Sequence, residues 1–330
     1  MKFPRRKNVL PAVAATFALA FATLPPASAA GENTAAAVAA SGATLEKLAG
    51  GFSFTEGPAA DAAGNVFFTD QPKNKIWRWG TDGKLTLFHD APGRANGLWF
   101  TTGGQLLACA DAANELWRVD PKTRRHTVLA KGFRGRRLNG PNDVWERPDG
   151  GIYFTDPMYA RPYWKGVRPS KIEQDTGSGQ HVYFLPPPAA KDGAGKGTAG
   201  GDVGALRRVA DDLVQPNGLI GTRDGKTLYV ADIGANKTYR YTVRPDGSLA
   251  GKTLFAPLGS DGMTLDAAGN VYLTGKGVTV FDPRGRQIAH IAVPGGWTAN
   301  VCFGGAARDE LFITATSTLW RLKMRVRGAW

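Results

Sequence analysis

Residues 142–156 read NDVWERPDGGIYFTD, and this stretch holds the unit that decides the fold. It starts with polar residues, enters a short apolar strand, turns at a glycine pair and returns along a second strand that ends in aspartate. Short strands bounded by turn residues are typical of β-sandwiches and β-propellers. Five further segments of the chain share the template, so we interpret the chain as a repeat protein.

The spacing of the copies selects a propeller. We call the residue that opens the first strand of each copy its anchor, and consecutive anchors are 40, 46, 75, 44 and 39 residues apart. The anchors are Glu56, Asn96, Asn142, Asn217, Asp261 and Asn300. A glycine follows eight residues after every anchor except the last, where Arg308 stands instead. A third strand and an outer strand complete most copies, and four strands with a period near 40 predict an all-β, six-bladed β-propeller.

The two ends of the repeat region predict how the ring closes. The sixth copy has no outer strand after Leu322, whereas residues 44–48, before the first copy, have the missing pattern. We therefore expect an N-terminal strand to join the last blade, so that no strand edge is left open at the closure. The longest spacing contains residues 161–203, with a proline triplet and a glycine- and lysine-rich run. We interpret this range as an insertion within one propeller domain over residues 44–330.

The first thirty residues have the pattern of an export signal. Basic residues come first, an apolar stretch covers residues 9–24, and small residues at 27–29 suit cleavage. We predict a signal peptide at 1–30, a linker at 31–43 and a periplasmic or secreted protein. The general secretory route and the twin-arginine route both stay open.

Charge and cysteine content limit the classes of partner. The formal net charge of +13 falls to +9 once the four basic residues of the signal are removed, and the remaining basic residues are scattered except at Arg134, Arg136 and Arg137. We expect no nucleic-acid partner and, because no apolar stretch reaches the ~20 residues of a membrane helix, no membrane partner after signal cleavage. Cys109 and Cys302 lie in apolar strand-like runs, which favours buried free thiols over a disulfide.

The six anchors predict a metal site. The first strand of each blade lines the central channel of a propeller, so six anchors face one axis at one mouth. Two carboxylates and four carboxamides form an oxygen-only donor set, which suits Ca²⁺, with Mg²⁺ or Mn²⁺ next, and disfavours zinc or copper as native metals. Turn preference explains an asparagine at Asn96 or Asn300 but not a glutamate at Glu56. The aspartates that end the second strands recur too often to be special, and we interpret them as turn caps.

Five motifs on this frame resemble the regucalcin/gluconolactonase (senescence marker protein-like) family of calcium propellers, and its secreted bacterial gluconolactonase-like branch in particular. They are FTEGPAAD at Glu56, LNGPNDVWERPDGGIYFTDP at Asn142, VQPNGLIGTRDGKTLYVAD at Asn217, GSDGMTLDAAGNVYLTG at Asp261 and TANVCFGG at Asn300. The resemblance implies Glu56, Asn217 and Asp261 as metal ligands and Asn142 as a further ligand, direct or through water. The ion it implies is Ca²⁺, for which Mg²⁺, Mn²⁺ or Zn²⁺ could substitute in vitro.

One departure from the family concerns substrate binding. Regucalcin-type members have an arginine two residues before the asparagine of the P-N-D motif, where this chain has Gly140. Arg136, Arg137 or Asn139 would then contact the substrate instead. We predict a substrate-binding set of Asn96, Arg137, Asn139 and Asn300.

The resemblance implies hydrolysis of a sugar lactone, with Asp261 as the catalytic base and Glu56 as the alternative base. The chain has no G-x-S-x-G motif, and none of its four histidines is an anchor, which disfavours a serine–histidine triad or a histidine dyad. Two other functions stay open at this point. One is calcium-dependent hydrolysis of aryl esters or phosphotriesters, and the other is non-catalytic binding of a ligand by a propeller with a structural ion.

Overall fold

Six four-stranded antiparallel sheets make up the structure, a computed structural model that describes residues 35–159, 179–187 and 206–330. Each blade takes its strands in chain order from first to fourth, except the last blade. The predicted six-bladed β-propeller is therefore confirmed. Two 3₁₀ turns, Ala35–Ala37 and Asp111–Ala113, are the helical elements of the described residues.

The first three blades and one extra hairpin lie in the N-terminal half. Blade one has β2 (Thr55–Ala60), β3 (Val66–Asp70), β4 (Lys75–Trp79) and β5 (Leu85–Asp90). Blade two has β6 (Ala95–Phe100), β7 (Leu106–Ala110), β8 (Glu115–Val119) and β9 (His126–Ala130). The hairpin is β10 (Gly132–Phe133) with β11 (Arg136–Arg137), and blade three has β12 (Val144–Glu146), β13 (Ile152–Asp156), β14 (His181–Leu185) and β15 (Arg207–Ala210).

The last three blades complete the ring. Blade four has β16 (Pro216–Gly221), β17 (Thr227–Asp232), β18 (Lys237–Val243) and β19 (Leu249–Ala256). Blade five has β20 (Met263–Leu265), β21 (Val271–Gly275), β22 (Gly277–Phe281) and β23 (Gln287–Ile291). Blade six has β24 (Thr298–Gly304), β25 (Glu310–Ala315), β26 (Thr318–Lys323) and, as its outer strand, β1 (Glu46–Gly50).

Strand β1 closes the ring as the sequence predicts. It pairs antiparallel with β26, from Glu46 opposite Arg321 to Gly50 opposite Thr318, and so fills the outer place in blade six. An ion pair joins the Arg321 guanidinium to the Glu46 carboxylate at 2.7 Å. The closure leaves β26 without an open edge, which is the state that a stable sheet requires.

Turn conformation confirms the repeat register. The glycines eight residues after the first five anchors all adopt positive φ, between 69° and 89°. Arg308, at the same place in blade six, adopts φ 58°. This left-handed conformation is unusual for a residue with a Cβ, so the sixth turn keeps the repeat geometry even though the glycine is gone. The Arg308 guanidinium donates to the Asp61 carbonyl of blade one.

The structure describes only part of the predicted linker and of the predicted insertion. The predicted linker 31–43 is described from residue 35, and there Val38 and Ala39 are buried in a cluster with blades five and six. The predicted insertion 161–203 contains β14, the third strand of blade three, and the rest of it lies outside the described residues apart from 179, 180, 186 and 187. The predicted signal peptide 1–30 also lies outside them.

The interior is apolar, and both cysteines belong to it. Cys109 and Cys302 are free and buried, as predicted, and burial raises the pKa of both thiols, that of Cys302 to about 12. Among the described residues, no helix is long and apolar enough to cross a membrane.

Candidate functional site

Each anchor lies within two residues of the residue that begins the first strand of its blade. Five of them are buried, whereas Asp261 is partly exposed. In four blades the pairing of the first with the second strand shifts close to the anchor, between Glu56 and Ala59, Ala95 and Leu98, Pro216 and Leu219, and Thr298 and Asn300. Such β-bulges redirect a side chain from the regular alternation of a sheet.

Glycines after the anchors let neighbouring blades approach closely at the axis. A Cβ at Gly57 would lie 2.1 Å from the Asn96 carbonyl oxygen, and one at Gly262 would lie 1.9 Å from the Asn300 side chain. Blade three has Asp143 in the place of these glycines. Asp143 was not predicted from the sequence, although it is a carboxylate in a position that is glycine in four of the other five blades.

Three blades meet at a single amide nitrogen. Asn300 Nδ2 lies 3.2 Å from Glu56 Oε2 and 3.2 Å from Asp143 Oδ1, so blades six, one and three converge there. Glu56 Oε2 also accepts the Gly57 backbone N–H at 2.6 Å. The anchors Glu56 and Asn300 therefore share one site, with Asp143 as its third member.

The carboxyls of this site repel one another. Burial raises the pKa of Glu56 well above its usual range, and the Asp261 and Asp143 carboxylates add to the rise. Burial and then Asp261 raise the pKa of Asp143 to about 8. Because Asp261 acts on both groups, blade five contributes its charge to the same region. A cation placed there would relieve the repulsion and favour the ionised forms.

Asp261 sits at the more open side of the site. Its Oδ1 accepts the Asn217 side-chain N–H at 2.8 Å, and its Oδ2 accepts the Trp297 indole N–H at 2.5 Å. Asn217 Nδ2 also donates to the Tyr159 hydroxyl at 2.7 Å. Neither aromatic residue was predicted, because both precede or follow the repeat strands in connections that the template does not cover.

Unsatisfied oxygens in this region suit a cation. Asn217 Oδ1 and Asn96 Oδ1 are buried and have no hydrogen-bond partner among the described residues. A buried polar atom is rarely left in this state without a ligand or water. In the part of the chain that the structure describes, no three His, Cys, Asp or Glu side chains come together as a metal site. The candidate set instead combines the carboxylates Glu56 and Asp261 with carboxamides, a chemistry that hard cations accept.

The remaining predicted site residues occupy different environments. Asn142 is buried, and its backbone carbonyl accepts the Gly97 N–H at 2.7 Å. Asn139 is buried, and its side-chain amide donates to the Asp156 backbone carbonyl at 3.0 Å. Arg137 is exposed on β11, and it borders with Asn139 a cavity of about 240 Å³. The metal-binding role of Asn142 and the substrate-binding roles of Asn139 and Arg137 stay predictions.

Threonines of the second strands hold the site backbone in place. Thr155, Thr274 and Thr314 each accept, through the side-chain oxygen, a backbone N–H at or next to an anchor, with lengths of 3.1, 2.8 and 3.1 Å. The repeated T-D, T-G and T-A endings of the second strands contained this signal.

Of the four aspartates predicted to cap turns, Asp70, Asp156 and Asp232 do so, whereas the Asp111 carboxylate accepts the Gln71 side-chain N–H at 3.2 Å. The Asp70 carboxylate accepts the N–H groups of Ser53 and Phe54, and that of Asp232 accepts those of Val214 and Gln215. Asp156 accepts two such N–H groups in blade three in the same way. These carboxylates fix the chain that enters each first strand, which is the ordinary use of aspartate beside a turn.

Comparison with known proteins identifies the family. The family model described as SMP-30/Gluconolactonase/LRE-like region matches residues 54–317. The chain belongs to this family. The matched range begins just before the first anchor and ends between β25 and β26, the second and third strands of blade six. It therefore contains all six anchors, and the predicted family is confirmed.

Relatives within and around the family share both sequence and shape. A gluconolactonase of Zymomonas mobilis is 26% identical over an alignment of 313 residues that covers 86% of this chain and 82% of that protein. A solved gluconolactonase of Xanthomonas campestris is 30% identical, with a TM-score of 0.74, and covers 88% of this chain and 92% of its own. Regucalcin of Agrobacterium tumefaciens, described as a calcium-binding protein, shares the fold at 20% identity and a TM-score of 0.68, over 87% of this chain and 95% of its own.

Proposed function

We propose that this protein is a metal-dependent lactonase that opens sugar lactones at the mouth of the central channel where the anchors lie. The observation that carries the proposal is the convergence of Glu56, Asn300 and Asp143 from three blades, beside the pair Asn217–Asp261. Membership of a family that includes named gluconolactonases, a lactonohydrolase and a pentonolactonase supports lactones as the substrate class.

The residues proposed to hold the cation are Glu56, Asn142, Asn217 and Asp261. Their donor atoms are oxygens, and the buried Asn217 Oδ1 has no other partner among the described residues. Such a set fits Ca²⁺ best and accepts Mg²⁺ or Mn²⁺. When bound, a divalent cation polarises a carbonyl and stabilises negative charge on its oxygen.

The chain's own groups would carry out the proton transfers. Asp261 is partly exposed, so a water molecule and a lactone can both reach its carboxylate. Asp261 takes a proton from the water as the water oxygen attacks the carbonyl carbon, and the ring C–O bond breaks. The ring oxygen receives the proton, and the product is a hydroxy acid. Asn217 and Trp297 hold Asp261 in one orientation through its two oxygens.

An assay of purified protein tests the proposal. We expect opening of glucono-δ-lactone or another lactone in a broad panel, a fall of at least ~100-fold after a chelator, and recovery when Ca²⁺ is added back. The panel includes an aryl ester and a phosphotriester. Turnover that resists the chelator would contradict the metal-dependent mechanism. Turnover of the aryl ester alone would favour the related hydrolase, and no turnover at all would favour a binding propeller.

We further propose that residues 1–30 direct export and are removed. The basic start, the apolar stretch and the small residues at 27–29 support this proposal. Expression of the full chain in a bacterium, followed by cell fractionation and mass spectrometry of the product, tests it. A full-length product that stays in the cytoplasm would contradict it.

A further inference from the structure

We propose that Trp297 both positions Asp261 and forms a stacking surface for the ring of the sugar lactone. The inference rests on the proposed lactonase function and adds a specificity-determining residue to it. It assigns different tasks to two parts of one side chain. The indole N–H orients the base, and the exposed ring face receives the apolar face of the substrate.

The hydrogen bond from Trp297 fixes the carboxylate that the reaction uses. Trp297 Nε1 lies 2.5 Å from Asp261 Oδ2, while Asn217 Nδ2 lies 2.8 Å from Asp261 Oδ1. Two donors on the two oxygens hold the plane of the carboxylate. Groups that orient a ligand or a base in this way are worth a measurable share of activity.

Trp297 is unusually open to solvent for a large aromatic residue. It is 42% exposed, and no other aromatic side chain of the described residues is among the exposed large hydrophobics. An exposed indole beside polar groups is a common feature of binding sites, because it offers a broad, rigid apolar surface with few bonds to immobilise. The position of this ring at Asp261 therefore favours a role in binding.

The repeat shows that the space for the ring is built into the fold. Blade five has Gly275 where blades one, two, three and four have an aspartate after or at the end of the second strand. A Cβ at Gly275 would lie 3.6 Å from the far edge of the Trp297 ring, so the indole lies above this glycine. A Cβ would thus be in van der Waals contact with the indole, and the positive φ of 146° at Gly275 is one that residues with a side chain rarely adopt.

The backbone around Trp297 is also held. Gly295 and Gly296, directly before it, adopt φ of 100° and 105°, which residues with a Cβ rarely reach. The Trp297 carbonyl accepts the backbone N–H of Thr316 at 3.0 Å and its hydroxyl at 3.2 Å. The ring therefore sits on an anchored segment and not at a free loop tip.

A sugar lactone matches this surface. The ring of a sugar carries C–H groups on its faces and hydroxyls at its rim, so one face can leave water against an indole while the hydroxyls keep their hydrogen bonds. A lactone held flat on Trp297 has its carbonyl carbon close to the carboxylate that the same side chain orients. Cyclic polyol lactones would gain from this arrangement, and acyclic esters would not.

Two substitutions separate the two tasks. Trp297→Phe keeps a ring and removes the N–H, and Trp297→Leu removes both. We expect Trp297→Phe to lower kcat about 10-fold with KM within about twofold of the wild type. We expect Trp297→Leu to lower kcat to a similar extent and to raise KM at least ~5-fold. Trp79→Phe, in the third strand of blade one, is the matched control.

A binding measurement completes the test without turnover. The probe is 1,5-anhydro-D-glucitol, a sugar ring without a carbonyl, and its Kd is measured by ligand-observed NMR. Trp297→Phe should keep this Kd within about twofold, and Trp297→Leu should raise it at least ~5-fold. A wild-type kcat in Trp297→Phe would overturn the positioning role, and a wild-type KM and Kd in Trp297→Leu would overturn the stacking role.

The melting temperature excludes a merely structural explanation. If both variants melt several degrees lower and change kcat and KM alike, Trp297 only packs the fold and the proposal is wrong. If the wild-type protein opens no lactone, the proposed function fails, whereas the Kd comparison still decides whether Trp297 carries a sugar ring.

Discussion

The anchors and the ends of the second strands lie at the same end of every blade, yet they use polar side chains in opposite ways. Asp70 and Asp232 bond to backbone N–H groups that enter their own blade. The anchor Asn300 bonds to Glu56, 244 residues away in sequence and in another blade. Repetition of a polar residue is therefore no sign of a site by itself. The direction of the side chain, along the blade or towards the axis, makes the difference.

The difference between capping aspartates and anchors is clearest in the two blades that have no aspartate at the capping position. Blades five and six have Gly275 and Ala315 in place of the capping aspartate. Trp297 lies in the connection between these two blades and uses the space above Gly275 to reach Asp261. Blade five, which has no aspartate at the capping position, thus marks the side of the propeller at which we propose that substrate binds.

The largest expected effect comes from replacing the proposed base. Asp261→Asn keeps size and hydrogen bonding but removes the proton acceptor, so kcat should fall at least ~10³-fold. Steady-state kinetics on the best lactone of the panel measure the change, with the melting temperature as a check on folding. A variant with near-normal kcat would exclude Asp261 as the base and leave Glu56 as the candidate.

Removal of metal should make stability depend on pH in a defined direction. The folded-state pKa of Asp143, about 8, lies above its ordinary value of 3.8, so the folded protein holds a proton that the unfolded chain releases. Stability should therefore be highest below pH 4 as far as this group is concerned, and should fall as pH rises from about 4 to 8. We expect a loss of roughly 5 °C in melting temperature over this window in chelator-treated protein.

Asp143→Asn provides the control for this pH dependence. The variant keeps the shape of the side chain but has no proton to lose, so the part of the fall that Asp143 causes should disappear, while the part that comes from the raised pKa of Glu56 should stay. Thermal scans of chelator-treated wild-type and variant protein at several pH values measure it. An equal slope in both proteins would show that Asp143 is not the source.

Loss of a cap should reduce stability and spare activity. Asp232 is buried and accepts three backbone N–H groups, from Val214, Gln215 and Ala235. Asp232→Asn should therefore destabilise the fold by about 1–3 kcal/mol while kcat at 25 °C stays near the wild-type value. Denaturant titration and kinetics on the same preparation measure both. A large fall in kcat with unchanged stability would break the distinction between caps and anchors.

The smallest effect is expected at Tyr159. Its hydroxyl accepts one hydrogen bond from Asn217, and Tyr159→Phe removes that bond without changing the ring. The Ca²⁺ affinity should fall by about 0.5–1.5 kcal/mol, or roughly 3- to 10-fold. Calorimetric titration with Ca²⁺ measures it. An unchanged affinity would mean that the hydroxyl does not help to orient Asn217.

The sequence was sufficient for the parts of the molecule that repeat. The six blades, the turn at Arg308 and the closing strand follow from spacing and alternation, which are local properties. Asp143 and Trp297 could not be predicted in the same way. Their importance depends on which side chains from distant blades face them, and on the space that Gly275 leaves free. The metal and substrate roles of the anchors are predictions that the proposed experiments address.

The pairing of β1 with β26 has a consequence for how the molecule is made. Glu46 and Arg321 lie opposite each other although 275 residues separate them in sequence. Strand β1 is therefore synthesised long before β26, the strand with which it pairs. Blades one to five can form as they emerge, but the circle stays open until β26 is available to pair with β1. Any product that stops before β26 leaves a bare strand edge, which invites aggregation and degradation. Closure of the ring therefore depends on a single pairing between the first and the last strand of the propeller.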